Sequence, residues 1–333
     1  MVTISDVAAR AGVGAGTVSR VLNGSPRVSE ETRSKVIAVI DELGYRPNPM
    51  ARGLSRGRCQ TLGAVVPFFT QASAVERMRG VAAALDDSRY DLMLFNVETP
   101  VHRDEFLATL TRRDRADGLL IVSLPPPPEA LEAIVAAGVP VVLVDSAGDG
   151  VPVVRIDDVA GARLATGHLL ELGHRRIGFI GDAPTNPLGF VSSANREQGY
   201  REALAEAGIA FDPALLRHGA HDRDVALRLS SQLISSPEPP TAIFASSDVQ
   251  ALGVIEAARA LGVKVPDDLS VIGFDDVEVS AYAGLTTIRQ PLFESGFLGA
   301  RLLLDSLQGS EPPTAVQHEL ELELVVRDTT APA

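Results

Sequence analysis

The chain has one cysteine, Cys59, and no tryptophan in 333 residues. A lone thiol excludes an intramolecular disulfide framework and a cysteine-rich zinc site. No apolar run approaches the roughly 18 residues of a membrane span, so no membrane partner is expected. The opening stretch Met1-Val2-Thr3-Ile4-Ser5-Asp6 lacks the basic and apolar segments of a secretory signal, and the cytoplasm is the expected location. A nucleophile elbow, a P-loop and a zinc-protease motif are also missing. Gly12-x-Gly14-x-Gly16 is no dinucleotide fingerprint, because its third glycine is misplaced and no strand precedes it. Neither an enzyme nor a cofactor or metal is therefore expected. No internal repeat is evident.

Positive charge is scarce as well, with a net charge of −13 that at first argues against a nucleic-acid partner. The charge is unevenly spread. Residues 1–58 carry nine Arg or Lys against five acids, a net of +4, whereas the remainder carries 21 against 38, a net of −17. A basic head on an acidic body suggests one polyanion-binding module. Apolar residues at 45% and charged residues at 22% are ordinary globular composition, and the length calls for more than one domain.

The first 46 residues read as three short helices. Thr3-x-x-Asp6 resembles a capping box opening a helix that ends at Gly12. A second helix runs from about Ala15 to Leu22 and stops at Asn23-Gly24-Ser25-Pro26. Ser29 is an N-cap for a third, with Val36, Ile37, Ile40 and Leu43 at helical spacing and Gly44 at its end. The tight Gly12-Val13-Gly14 connection marks a helix-turn-helix. Pro47-Asn48-Pro49 closes the module, and the basic stretch after it, too short to be a stable helix alone, reads as a linker over 47–60 that orders on DNA.

From Thr61 onward the pattern is α/β. Buried-strand runs at Leu62–Val66, Leu92–Phe95, Gly118–Val122, Val139–Val144, Ile177–Ile180, Ala242–Ala245 and Ser270–Phe274 alternate with amphipathic helices. The helices include Ala74–Leu85, Pro128–Ala137, Gly161–Leu172, Glu197–Ala207, Val225–Ile234 and Val249–Leu261. More than six parallel strands, without eight regular units, favour two doubly wound subdomains over a barrel. His168 and His174 read as structural.

These residues resemble the lactose-repressor (LacI/GalR) family of bacterial regulators. The resemblance runs through Thr3-Ile-Ser-Asp-Val-Ala-Ala-Arg10, Thr17-Val-Ser-Arg-Val-Leu-Asn23, Val28-Ser-Glu-Glu-Thr-Arg33 and Leu43-Gly-Tyr-Arg-Pro-Asn48. It continues through Leu172-Gly-His-Arg-Arg-Ile177, Arg196-Glu-Gln-Gly-Tyr200, Val271-Ile-Gly-Phe-Asp275 and Leu285-Thr-Thr-Ile-Arg-Gln290. It implies a periplasmic-binding-protein-like core over 61–333 that crosses three times between an N-subdomain (61–155 and 291–318) and a C-subdomain (156–290 and 319–333). It further implies a homodimer or tetramer on pseudo-palindromic operator DNA, controlled by a small polar effector such as a sugar.

The DNA-facing set implied by the resemblance is Thr3, Ala15, Gly16, Thr17, Ser19, Arg20, Asn23, Arg27, Tyr45, Asn48, Ala51 and Leu54. Helix two is then the recognition helix. Arg20 can fork onto guanine O6 and N7, the alternative being a phosphate contact. Leu54 is the minor-groove wedge, or packs two linker helices together. Gly14-Ala15-Gly16 departs from the family, which has a capping serine and polar side chains there. The effector set implied is Arg196, Asp275, His221, Phe190, Ser192, Asp145, Asp158, Ser247 and Gln290, in the cleft between subdomains. Ser73 and Ala74 fall where some relatives carry pocket aromatics. The competing readings are a regulator controlled by a partner protein and a solute-binding protein; the basic head disfavours the second.

Overall fold

A computed structural model describes residues 2–22, 24–46, 59–111, 115–309 and 315–333. The chain divides into two compact units, Met1–Cys59 and Gln60–Ala333. In the first, α1 (Ile4–Ala11), α2 (Ala15–Leu22) and α3 (Glu30–Leu43) pack around Val7, Ala8, Ala11, Val18, Val21, Val36 and Val39. The caps are as the sequence suggests. Thr3 and Asp6 form a reciprocal capping box, Ser29 caps α3, and Gly12 and Gly44 take left-handed conformations that spare a Cβ clash. Ile37 departs from its expected packing role: it is 46% exposed, and Val39 lies in the core instead.

The second unit holds two six-stranded sheets. In chain order its elements are β1 (Thr61–Pro67), α4 (Ala72–Leu85), β2 (Asp91–Val97), α5 (Pro100–Leu110), β3 (Gly118–Val122), α6 (Pro128–Ala136), β4 (Val141–Val144) and β5 (Val153–Arg155). Then come α7 (Asp158–Glu171), β6 (Ile177–Asp182), α8 (Ser192–Glu206), β7 (Leu216–Gly219), α9 (Arg223–Ile234), β8 (Ala242–Ala245), α10 (Asp248–Ala260) and β9 (Ser270–Asp275). The last are α11 (Glu278–Tyr282), β10 (Thr286–Arg289), α12 (Leu292–Gln308), β11 (Gln317–Glu319) and β12 (Glu323–Val325). Sheet one has the order β11-β5-β4-β3-β1-β2 and sheet two β12-β10-β9-β8-β6-β7. All pairings are parallel except β12 against β10. The chain passes between the sheets after β5, after β10 and after β11.

Five strands, β5, β7, β10, β11 and β12, were not anticipated from apolar runs. They are three or four residues long, and only β5 and β10 are mostly buried. Where Val139–Val144 was expected as one strand, pairing begins at Val141, because Pro140 has no N–H to give the ladder. The helices α7 and α8 start several residues earlier than their apolar spacing indicates, α7 because Asp157 caps it.

Two features hold the elements of the second unit against one another. First, α4 and α12 touch backbone to backbone: a Cβ on Gly80 would strike the Phe293 carbonyl, and one on Gly296 the Arg77 carbonyl. Second, Asp248, wholly buried at the start of α10, clamps the segment after β9. It accepts hydrogen bonds from Val277 N (3.0 Å) and Ser280 Oγ (2.6 Å), and from Thr287 Oγ1 of β10. Burial, with the charge of Asp275 nearby, pushes the Asp248 pKa up to about 7, the donors working the other way.

Two outcomes follow. Gly16, inside α2, has open space where a Cβ would go, so Gly16→Ala should stabilise the head by up to about 1 kcal/mol. Gly296→Ala should destabilise the second unit by about 1–3 kcal/mol through overpacking. Hydrogen exchange on peptides from each unit reads both, and a stabilising Gly296→Ala would refute this packing. For Asp248, the folded state binds its proton more tightly than the unfolded chain does. Its contribution to stability therefore falls as pH rises from the ordinary 3.8 to about 7. Asp248→Asn should remove a pH-dependent loss on the order of 4 kcal/mol. A constant difference from wild type in denaturant unfolding across that range would contradict it.

Candidate functional site

In both sheets the order doubles back between the first strand of the unit and the third, β1 and β3 in one, β6 and β8 in the other. Ligands collect outside the carboxyl ends of parallel strands at such a switch point. The residues there are Phe68 after β1, Ser123 after β3, Asp145 after β4, Asp182 ending β6, Ser246 after β8 and Asp275 ending β9. All six line one cavity, with about 690 Å³ of empty space, part of it open to solvent. The backbone at these ends is strained: Phe68, Ser123, Asp145, Asp275 and Asp276 are non-glycine residues with positive φ, from 43° to 123°.

Arg196 stands at the centre. It projects from α8 and is 6% exposed. Its Nε donates to Asp158 Oδ1 (2.8 Å), and its Nη1 to the Ser246 carbonyl (2.6 Å) and to Asp275 Oδ1 (3.4 Å). The guanidinium carbon lies 3.7 Å from the centre of the Phe274 ring. Burial works against its charge, but Asp158 and Asp275 outweigh it and raise its pKa. Burial pushes the Asp158 carboxyl up to about 6 against the pull of Arg196, and it raises Asp275 as well.

Two hydrogen-bonded chains lead away from this centre. On one side Gln290 Nε2 donates to Asp275, and Arg77 donates to Gln290 Oε1 (2.9 Å) and Asp145 Oδ2 (2.7 Å), where Ser123 Oγ also donates (3.0 Å). On the other, Ser246 Oγ donates to Gln250, whose amide donates to Asp182 (3.0 Å), which pairs with His221 Nδ1 at 3.2 Å. Burial opposes a charge on His221, yet Asp182 beside it holds its pKa above the ordinary value. With four carboxylates at Asp145, Asp158, Asp182 and Asp275 around two arginines, the arrangement suits a neutral ligand rich in hydroxyl donors.

Of the effector set, Arg196, Asp275, His221, Phe190, Ser192, Asp145 and Gln290 line this cavity. Asp158 supports Arg196 and faces an adjoining hollow. Ser247 is turned away: it is wholly buried, capping α10 through Gln250 N, and the hydroxyl that reaches the cavity is that of Ser246. Ser73 lines the wall, while Ala74 is buried in the apolar cluster under α4. Sequence reasoning missed Arg77, Asp182, Ser123 and Ser246. Three of these end or directly follow a legible strand run. Arg77 occupies the apolar stripe of α4 with Ala74 and Val81, where a cation needs a partner.

In the head, Ala15, Gly16 and Arg20 are exposed on α2 opposite Val18 and Val21, with Thr17 and Ser19 half-buried. The Arg20 side chain makes no hydrogen bond or ion pair with the described residues. Thr3 commits its hydroxyl to Asp6, Tyr45 packs against the head core, and Arg27 is exposed. Asn23, Asn48, Ala51 and Leu54 lie outside the described residues.

Comparison with known proteins agrees with this division. Residues 3–48 match the family of bacterial regulatory proteins, lacI family, and residues 166–330 the periplasmic binding protein-like domain. The transcriptional repressor CytR of Escherichia coli K12 is 33% identical over 98% of this chain and 96% of its own. The lac repressor dimer bound to operator and the anti-inducer ONPF superposes with a TM-score of 0.83 at 30% identity, over 99% of each chain. A complex of the regulator CelR with cellobiose gives 0.72 at 34% identity, over 99% of this chain and 100% of that one. The chain belongs to the LacI family: it is a DNA-binding transcription regulator with an effector-binding core, and it is not an enzyme.

Proposed function

We propose that the chain is a homodimeric, cytoplasmic repressor whose affinity for a pseudo-palindromic operator is set by a neutral sugar in the cleft. The buried Arg196, held between Asp158 and Asp275 on the cavity wall, carries the reading. A fixed fork of N–H donors beside carboxylate acceptors matches neighbouring hydroxyls, and Phe190 offers a face for a sugar ring. The surplus of carboxylates disfavours an anionic effector. The cellobiose in the CelR complex belongs to the same class.

A dimer is supported by apolar surface and by relatedness. Leu92, Met93 and Leu94 on the edge strand β2, and Val75 on α4, are 36–44% exposed, a surface that a second copy would cover. The lac repressor binds operator as a dimer. In the head, Arg20 is the base-reading cation on α2, with Ala15 and Gly16 leaving the groove beside it unread. Each head takes one half-site.

Arg196→Lys or Asp275→Asn should weaken sugar binding at least about tenfold, as a charged hydrogen bond contributes about 1.5–3 kcal/mol. Operator binding without sugar should be retained. Gel-shift titration separates the two, and a normal sugar response in both variants would mean the site is elsewhere. Affinities for single-base operator variants at fixed salt test the head. Arg20→Ala should flatten one position of each half-site, where wild type discriminates by about 1–3 kcal/mol. Penalties steepest opposite Ala15 and Gly16 would overturn this docking.

A further inference from the structure

A second hollow opens beside the first, with about 1110 Å³ of empty space, part of it open to solvent. It lies toward β5 and is bounded by Asp149, Arg155, Asn195 and Gln317, with Asp158 at its floor. Ser123, Asp145, Phe190 and Ser192 line both spaces, so these four residues are a border and not a wall of either one. The Phe190 ring stands edge-on to Phe68, with centroids 6.4 Å apart. Its loop is pinned by Asn186, whose amide donates to the Phe190 carbonyl (2.9 Å) and whose Oδ1 accepts from the Phe190 N–H (3.0 Å).

The two spaces differ in what their polar groups are doing. In the first, Arg77, Gln290, Asp275 and Arg196 already bond to one another, and Asp182 bonds to Gln250 and His221. In the second, the side chains of Asn195, Gln317 and Asp149 make no hydrogen bond or ion pair with the described residues. An amide supplies both donors and acceptors, and a carboxylate accepts only, so the trio matches a set of hydroxyl groups. Arg155 is paired with Glu319 at 3.2 Å, so no unpaired cation faces the hollow from the described residues to hold a phosphate.

We infer that the effector is a neutral two-ring saccharide. One ring binds against Arg196 and Asp275, and the second crosses Phe190 to meet Asn195, Gln317 and Asp149. This rests on the sugar reading above and adds the ligand's length and the residues that select for it. Binding energy then divides between two sets of contacts, and a single ring collects only one of them.

The test is calorimetry on the full-length protein with D-ribose, D-glucose, cellobiose, maltose and sucrose as probes. Wild type should bind at least one disaccharide about tenfold or more tighter than either monosaccharide. Ala147 lines only the second hollow and is exposed, so Ala147→Trp should narrow that space without disturbing the core. Asn195→Ala removes one free amide. Both variants should lose the disaccharide preference while monosaccharide affinity stays within about twofold. Equal affinity for one and two rings in wild type, or an unchanged preference in both variants, overturns the inference and leaves the sugar reading standing. Binding of no probe by wild type takes both down.

Discussion

The core is organised around an arginine that is almost wholly withdrawn from water. Removing a guanidinium from solvent costs several kcal/mol unless charge and hydrogen-bond partners replace the water. Arg196 finds them in Asp158 on α7, Asp275 at the end of β9, the Ser246 carbonyl after β8 and the ring of Phe274. These partners come from α7, from β9 and from the turn after β8, so the arginine constrains how α7, α8 and sheet two meet. The same constraint makes the site receptive. Asp158 and Asp275 are held closer to neutrality than free carboxylates because burial resists their charge, and hydroxyl donors arriving from a ligand relieve that resistance.

Holding such a cluster needs a rigid frame, and strain at the strand ends shows where the frame acts. Asp275 has a φ of 123°, which a non-glycine residue adopts only under constraint. Asp248 grips the turn from one side through Val277 and Ser280. Asp276 grips it from the other through Arg289 and Arg327, both at 2.7 Å. Arg77 carries the network out of sheet two by joining Gln290, in the segment that leads into α12, to Asp145 of sheet one. Asp275 therefore has a continuous hydrogen-bonded route through Gln290 and Arg77 to Asp145 beside the other sheet, a packed polar network of the kind that can carry coupling between two regions.

Legibility followed range. The caps at Thr3, Ser29, Gly12 and Gly44 depend on neighbours within a turn, and the sequence displayed each of them. Central strands stood out as apolar runs, whereas β7 and β12 bury little and carry no such run; the run Leu92–Phe95, expected to be buried, is the edge strand β2, with Leu92, Met93 and Leu94 exposed. Ile37 and Val39 are both apolar and two apart in α3, and tertiary packing chose between them. Arg196 and Asp275 came from family resemblance, since no local pattern distinguishes one buried arginine from many exposed ones. Asp182, Ser123 and Ser246 were within reach, because each sits at the end of a strand that could be read. Ser247 was misplaced by a single residue, and in a strand-to-helix turn one residue separates the cavity from the helix cap.

Charge distribution completes the division of labour. The first 58 residues carry a net +4 and the rest −17, so DNA phosphates are attracted by the small unit and repelled by the large one. Phosphate contacts give affinity without sequence information and weaken steeply with salt. Selectivity must then come from the few groups free to read bases. On α2 the exposed positions Ala15 and Gly16 have no polar side-chain atom, which leaves Arg20 as the exposed donor on that face. A coupling energy of about 1–3 kcal/mol between effector and operator changes operator affinity roughly 5- to 150-fold, so an effector bound in the core can decide how fully the operator is occupied.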